Sequence, residues 1–235
     1  MKLDILVFAA HPDDAELSCA GIILNQIAKG QKVGVIDLTK GELGTRGTPE
    51  LRRQEAEKAK QVLGVSVREN LGLKDGFFEN DEDSMYKIIS SIRKYQPEVV
   101  LANALEDRHP DHGRAAELVK RAFFLAGLAK IETQQEVWRP KALYHYIQDT
   151  WLKPDVIVDI SPYWEKKREA ILAFGSQFHS ENMNTEEPQT YISSSNFLYY
   201  IEARAREMGH AIGVAFGEGL MKSKPIGIND LRVLV

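Results

Sequence analysis

Leu3-Asp4-Ile5-Leu6-Val7-Phe8-Ala9-Ala10-His11-Pro12-Asp13-Asp14 is the stretch that decides the fold. Seven of the eight residues from Leu3 to Ala10 are apolar, in a run far too short to span a membrane. Such a run, ended abruptly by polar residues, is the pattern of a parallel strand buried on both faces. His11, Asp13 and Asp14 arrive within four positions, where that strand should end. In open α/β sheets the ligand crevice lies outside the carboxyl ends of the strands. The stretch therefore brings an imidazole and two carboxylates to the place where such folds do chemistry. A His and an Asp three residues apart can reach one metal ion, leaving the second Asp free as a base. The same residues could also be no more than a polar turn and a helix cap.

Outward from this stretch, strand and helix patterns alternate. Leu17, Ala20, Leu24 and Ile27 form a helical stripe that Gly30 can stop. Residues 32–39 read as a second strand, so the two make a right-handed βαβ unit. Residues 40–48, with Gly41, Gly44 and Gly47, read as a flexible loop bordering the same crevice; they lack the spacing of a Walker loop. Residues 49–64 read as a helix, with Pro49 in its first turn and Gly64 at its end. Arg52 and Glu55, three apart, can pair across one turn of it. A strand at 65–73, a turn at Asp75-Gly76, a helix at 81–95 and a strand at 97–103 follow. Glu106-Asp107-Arg108-His109-Pro110-Asp111-His112 then repeats the opening theme, with Pro110 starting a helix that runs to about residue 125. Two of the six histidines lie three apart here, and His11 is a third, also just past a strand. Further strands are expected at 142–148 and 156–160, and helices at 163–174 and within 194–213. Residues 177–190, carrying His179, Glu181, Glu186 and Glu187, read as a long polar surface loop that could act as a lid. Residues 217–235 read as a loosely patterned, glycine-containing tail. No repeat or linker divides the chain, so one domain is expected over residues 1–235, an α/β fold with a mostly parallel sheet.

Composition narrows the function classes. Hydrophobic content is 43% and charged content 27%, as in ordinary globular proteins. A formal net charge of −4 gives no general pull toward nucleic acid or anionic membrane. Cys19 is the single cysteine, which excludes an internal disulfide and Cys-rich zinc sites; it is expected to be a buried thiol. The chain enters a strand directly, without a basic segment and an apolar signal core, and has no apolar run of spanning length. A cytoplasmic location is therefore expected.

A metal would then be held by His, Asp or Glu. His11, Asp14 and either His109 or His112 would provide two imidazoles and a carboxylate, and catalytic zinc commonly has three protein ligands and an open position. Zinc in such a site activates water and polarises a carbonyl. Asp13 could take the proton from that water, and the unused histidine could stabilise an oxyanion or protonate a leaving amine. Two histidines and a carboxylate also suit non-haem iron. An oxygenase on that pattern would leave Asp13 without a task, and a non-catalytic sugar- or nucleotide-binding module would need no such ligand set.

Ala10-His11-Pro12-Asp13-Asp14-Ala15-Glu16 and His109-Pro110-Asp111-His112 together resemble the paired signatures of the LmbE-like deacetylases, the PIG-L family. Supporting matches are Leu38-Thr39-Lys40-Gly41-Glu42, Arg52-Arg53-Gln54-Glu55, Leu71-Gly72-Leu73-Lys74-Asp75, Ser176-Gln177 and Arg204-Ala205-Arg206-Glu207-Met208-Gly209. The resemblance implies a Rossmann-like fold with helices on both faces of the sheet and the active site at the carboxyl ends of the strands. It implies removal of acetyl groups from N-acetylglucosamine derivatives with a divalent metal, usually Zn2+, although Fe2+ or another divalent ion is compatible. His11, Asp14 and His112 match its metal ligands and Asp13 its general base. His109 matches the histidine that stabilises the oxyanion and donates a proton, and Asp111 the partner orienting it. Arg52 and Asp75 match sugar-binding positions. Asp107 stands where the mycothiol branch has a tyrosine. Length and C-terminal pattern are most similar to the bacillithiol-pathway deacetylases, whose substrate is N-acetylglucosaminyl malate; other members act on N-acetylglucosamine and short chitin oligomers. The expected partner is a small amino sugar, with no nucleic acid or membrane, and a homo-oligomer is expected.

The remaining candidates read as structural. His145 alternates within a strand, and His210 suits a helix end. Trp138, Trp151 and Trp164 read as packing residues. The Arg204–Arg206 segment reads as a solvated helix face or a subunit contact.

Overall fold

The apolar run forms β1 (Ile5–Ala9), every residue of which is buried. Its pleat divides the core in two. Ile5, Val7 and Ala9 belong to one hydrophobic cluster, Leu6, Phe8 and Ala10 to the other. A strand with a core on each side must be apolar at both parities, which is why the run is unbroken. Each such Leu, Ile, Val or Phe contributes about 1.5–3 kcal/mol by leaving water.

The computed structural model describes residues 1–178 and 187–234. After β1 come α1 (Asp14–Ala28), β2 (Val33–Thr39), α2 (Pro49–Leu63), β3 (Val67–Leu73), α3 (Glu82–Tyr95), β4 (Val99–Ala102) and α4 (Pro110–Leu125). Next are β5 (Ala142–Tyr146), β6 (Val156–Asp159), α5 (Trp164–Leu172), α6 (Phe197–Ala211) and β7 (Gly217–Lys222). The seven strands lie in the order β3-β2-β1-β4-β5-β7-β6. From β3 to β5 all pairings are parallel. The chain builds outward from β1 to β3, then crosses back to place β4 on the other side of β1. That reversal makes the gap beyond β1 and β4 the switch point where such sheets bind ligands. Residues of α1, α2, α5 and α6 enter one core cluster, and those of α3 and α4 the other. The expected Rossmann-like sheet, mostly parallel with helices on both faces, is what the chain forms.

Local signals set the element ends. Thr48 accepts from the backbone N–H of Leu51 to cap α2, with Pro49 in the first turn, and Gly64 closes it in the left-handed region at φ 75°. Asp81 caps α3 through the N–H of Ser84.

Three readings need correction. Residues 217–222 are a strand, not a tail: β7 runs antiparallel between β5 and β6. Gly217 and Gly219 hide the strand pattern but are required by packing, since a Cβ on Gly219 would lie 3.0 Å from the Met208 sulfur and from Pro154. Arg52 and Glu55 do not pair; Arg52 turns to Asp13, while Glu55 accepts from the N–H and hydroxyl of Ser176. Trp164 is buried and stacked on Phe216, and the Trp138 indole donates to the Pro97 carbonyl, but Trp151 is half exposed.

Cys19 is buried, as expected, and sits at a kink in α1 with φ −141°. The backbone groups freed there find partners. Glu218 of β7 accepts from the N–H groups of Gly21 and Ile22, and Lys167 donates to the Leu17 carbonyl and to Glu218.

Candidate metal centre

β1 ends in a tight turn in which the His11 carbonyl accepts from the N–H groups of Asp13 and Asp14. Asp14 opens α1, and Asp13 precedes it at φ 152°, ψ −20°. Non-glycine residues rarely occupy such backbone, which costs about 1–3 kcal/mol and concentrates at functional sites. From the neighbouring strand end, His109 caps α4: its Nδ1 accepts the N–H of Asp111. His112 lies one turn inside that helix. The rings of His11, His109 and His112 meet with centroids 4.6–5.6 Å apart.

One cavity of about 500 Å³ is lined by His11, Asp13, Asp14, Arg52, Asp75, His109 and His112 together. Asp111 lies behind it, fully buried. All eight expected site residues thus gather beyond the carboxyl ends of β1, β3 and β4.

Each candidate ligand is held from behind. His112 directs Nε2 to Asp14 Oδ1 at 3.1 Å, while its Nδ1 meets Asp107 Oδ2 at 2.5 Å. Asp107 is fixed in turn by the N–H groups of Asp149 and Thr150. His11 directs Nδ1 toward Asp14 Oδ2 at 3.7 Å, while its Nε2 meets Asp75 at 3.1 Å and Asp111 at 3.3 Å. Metal-binding imidazoles are typically held in this way, with one nitrogen on a carboxylate and the other free for the ion. Asp14 accepts from the His11 N–H and the amide of Asn103 on one oxygen, and from the amide of Gln148 on the other. Ligand atoms of His11, His109 and His112 lie within 4.8 Å of one another, as do those of His11, Asp75 and Asp111. This donor set, all nitrogen and oxygen with its outer partners in place, fits a divalent cation.

Two expected contacts are made differently. The carboxylate of Asp111 does not hold His109. It accepts from the Gly76 N–H and Arg114 and meets His11; only the Asp111 main chain touches His109. Because Nδ1 of His109 accepts, its neutral tautomer carries the proton on Nε2. Asp75, expected to meet sugar hydroxyls, has one oxygen on His11 and the other on the Leu43 N–H.

Electrostatics separate the two adjacent aspartates. Burial pushes the Asp13 carboxyl up to about 7, against the pull of Arg52. Burial also opposes charge on Asp14, but His112 and His11 outweigh it and hold its carboxyl well below the usual range. His112 is raised to about 9: burial lowers it, and Asp14 and Asp107 more than compensate. His109 is lowered by burial and by the two neighbouring imidazoles. Arg52 bonds Asp13 at 2.9 Å and the Pro12 carbonyl at 2.7 Å. Its guanidinium lies over Gly41, where a Cβ would come within 2.3 Å and where φ is +63°. Only glycine meets both demands.

The sequence alone assigns no role in the site to Asn103, Asp107 or Gln148, and reads Arg204 as part of a solvated helix face or a subunit contact. Asn103 and Gln148 carried a signal, since each is a polar residue just past an apolar strand, as His11 is. His145 is buried with Nδ1 on the Asn103 carbonyl, a structural position. His210 is exposed in the last turn of α6. His179 and most of the expected lid, residues 179–186, lie outside the described residues. Within that loop Gln177 is buried and donates to the Arg46 carbonyl. Among the described residues no helix is long and apolar enough to cross a membrane.

The conserved protein TT1542 from Thermus thermophilus superimposes with a TM-score of 0.86 at 35% identity, over 97% of this chain and 98% of that one. The 4-oxalmesaconate hydratase of Pseudomonas putida is 28% identical, covering 74% of each chain. The diacetylchitobiose deacetylase of Thermococcus kodakarensis is 28% identical over 92% of this chain and 81% of its own. The probable N-acetyl-α-D-glucosaminyl L-malate deacetylase 2 of Bacillus subtilis is 29% identical over 75% and 84%. The family model PIG-L, GlcNAc-PI de-N-acetylase, matches residues 6–123, the half of the chain that holds both histidine clusters. The chain belongs to the PIG-L family.

Proposed function

We propose that this chain is a metal-dependent N-deacetylase that hydrolyses the N-acetyl group of an N-acetylglucosamine derivative, with N-acetylglucosaminyl malate as its substrate. One observation carries the reading. Two imidazoles, each braced by carboxylates at the far nitrogen, converge on Asp14, while the neighbouring Asp13 stays outside that set. His11, Asp14 and His112 would hold the ion, Zn2+ by preference, with Fe2+ compatible with the same donors. A divalent cation there supplies Lewis acidity, polarising the amide carbonyl and making water easier to deprotonate.

The side chains supply the rest. Asp13, oriented by Arg52, takes a proton from the attacking water as its oxygen bonds the acetyl carbon. His109 offers Nε2–H to the oxyanion of the tetrahedral intermediate. The C–N bond then breaks, and the proton that Asp13 took from the water passes to the departing amine, giving acetate and the free amino sugar. Asp111 acts on this site by fixing His11 and, through its main chain, His109. Arg52 and Asp75, both lining the cavity, would meet sugar hydroxyls at their remaining donor and acceptor positions.

The test is acetate release by the metal-loaded protein from N-acetylglucosaminyl malate, N-acetylglucosamine and diacetylchitobiose. The malate conjugate should have the highest kcat/KM; a preference for either of the others would assign the chain to amino-sugar or chitin-oligomer breakdown. One ion per chain is expected, lost in His11→Ala, Asp14→Ala and His112→Ala and largely kept in His109→Ala. Full retention in the first three would reject the ligand set. The similarity to the Pseudomonas putida hydratase favours a second reading, water addition to an unsaturated carboxylate. No acetate from any conjugate, with turnover of such an acid, would select it.

A further inference from the structure

The cavity extends beyond the metal centre to α6, where Leu17, Ile192, Phe197 and Ile201 wall it and Arg204 enters it. The Arg204 side chain is only 17% exposed. Its Nη2 donates to the Asp149 carbonyl at 3.0 Å. Among the described residues its Nε and Nη1 have no protein partner. The Asp149 carboxylate is 3.7 Å away and already occupied, by Arg108 Nε at 3.0 Å and the Tyr191 hydroxyl at 3.0 Å. Arg108 is stacked over the Tyr191 ring at 4.6 Å. Two guanidinium groups therefore share the Asp149 carboxylate, and the Asp107 carboxylate that also attracts Arg204 is itself engaged with His112. Asp107 joins this corner to the metal centre, accepting from the Asp149 N–H on one oxygen and meeting His112 with the other.

Neither Nε nor Nη1 of Arg204 is sealed in protein, so both are available to an anion that enters the cavity. Guanidinium and carboxylate match in geometry, and such charge-assisted bonds are about twice as strong as neutral ones. The sequence reading treats the Arg204 segment as a solvated face or a subunit contact; its place in the cavity excludes the first.

We infer that this end of the cavity is a carboxylate subsite, in which Arg204, supported by Arg108, takes an acidic group on the aglycone of the substrate and selects it over a neutral aglycone. The inference rests on the deacetylase reading for the sugar end alone.

The experiment compares N-acetylglucosaminyl malate with methyl N-acetylglucosaminide in the metal-loaded wild type and in Arg204→Gln. The ratio of their kcat/KM values should fall about 10–100-fold, the loss expected for a bond to a charged group, mainly through KM of the malate conjugate. Arg204→Lys, which keeps the charge, should restore part of the ratio. Arg206→Gln, at an exposed residue paired with Glu202, should leave it unchanged. An equal loss on both substrates would mean that Arg204 only braces the Asp149 loop, and would overturn the subsite. Should Arg204→Gln fail to fold, Arg108→Gln carries the same comparison at a half-exposed side chain, with an expected fall of about threefold; no fall would overturn the proposal. Absence of turnover in the wild type would reject the deacetylase reading instead. Binding of the two products, glucosaminyl malate and methyl glucosaminide, then decides the subsite by calorimetry. A malate preference abolished in Arg204→Gln supports it, and no preference in the wild type overturns it.

Discussion

His11 and His112 face the same cavity but are braced from different distances along the chain. His112, in the first turn of α4, takes its carboxylate from Asp107, five residues earlier in the loop before that helix. His11 takes its carboxylates from Asp75 and Asp111, 64 and 100 residues away. The Asp107 brace lies within one short segment of chain, with Asp107 fixed in turn by the N–H groups of Asp149 and Thr150. The brace on His11 exists only once β1, β3 and β4 lie in their sheet order, since the three strand ends must converge first. The same contrast separates Asp13 and Asp14, which the turn after β1 delivers together, from Asn103 and Gln148, which reach Asp14 from the segments after β4 and β5.

If the short local clusters carry the chemistry and the distant residues only hold them, variants should divide accordingly. Asp13→Asn should keep metal and lose on the order of 10²–10⁴ in kcat, the usual scale for general-base catalysis. Near-wild-type turnover with metal bound would remove Asp13 from the mechanism. At the other extreme of sequence distance, Glu218→Gln leaves the buried Lys167 ammonium and the kink in α1 without their carboxylate. It should cost about 3–5 kcal/mol in denaturant unfolding, and Lys167→Met in the same chain should recover most of that. Failure of the second change to compensate would show that Glu218 matters for the kink alone.

Asp107→Asn and Gln148→Leu belong between these extremes. Each should weaken metal binding about 10–100-fold in chelator competition, while kcat at saturating metal changes much less. A fall in kcat as large as that of Asp13→Asn would abolish the distinction between acting and holding. The smallest effect concerns stability of the metal-free protein. A buried carboxyl raised to about 7 binds its proton more tightly folded than unfolded, so its burial lowers stability as pH rises from the unfolded value of 3.8 toward 7. Asp13→Asn should therefore raise Tm at pH 7 and above by at least about 2–4 °C, the shift for one kcal/mol in a domain of this size. The gain should vanish near pH 4. No gain at pH 7 would show that the Arg52 pair outweighs desolvation.

The amino-acid sequence by itself determined the alternation of strands and helices as far as α6, the two-sided burial of β1 and the clustering of three histidines past two strand ends. These are properties of neighbouring residues: apolar period, caps, and polar residues that follow an apolar run. It did not reveal β7, because Gly217 and Gly219 remove the side chains whose alternation marks a strand, and the reason for glycine at 219 is contact with Met208 and Pro154. Nor did it reveal which partner each charged group takes. Arg52 is three residues from Glu55 and forty from Pro12, and the tertiary structure chose the distant site, pairing it with Asp13. Asp111 is two residues from His109, yet its carboxylate goes to Arg114, Gly76 and His11. Such pairings depend on the register and order of parallel strands, which crossovers of many residues leave open until the sheet assembles. Burial then makes the choice final, because a charge that has lost its water must take whichever partner the packed structure brings within reach.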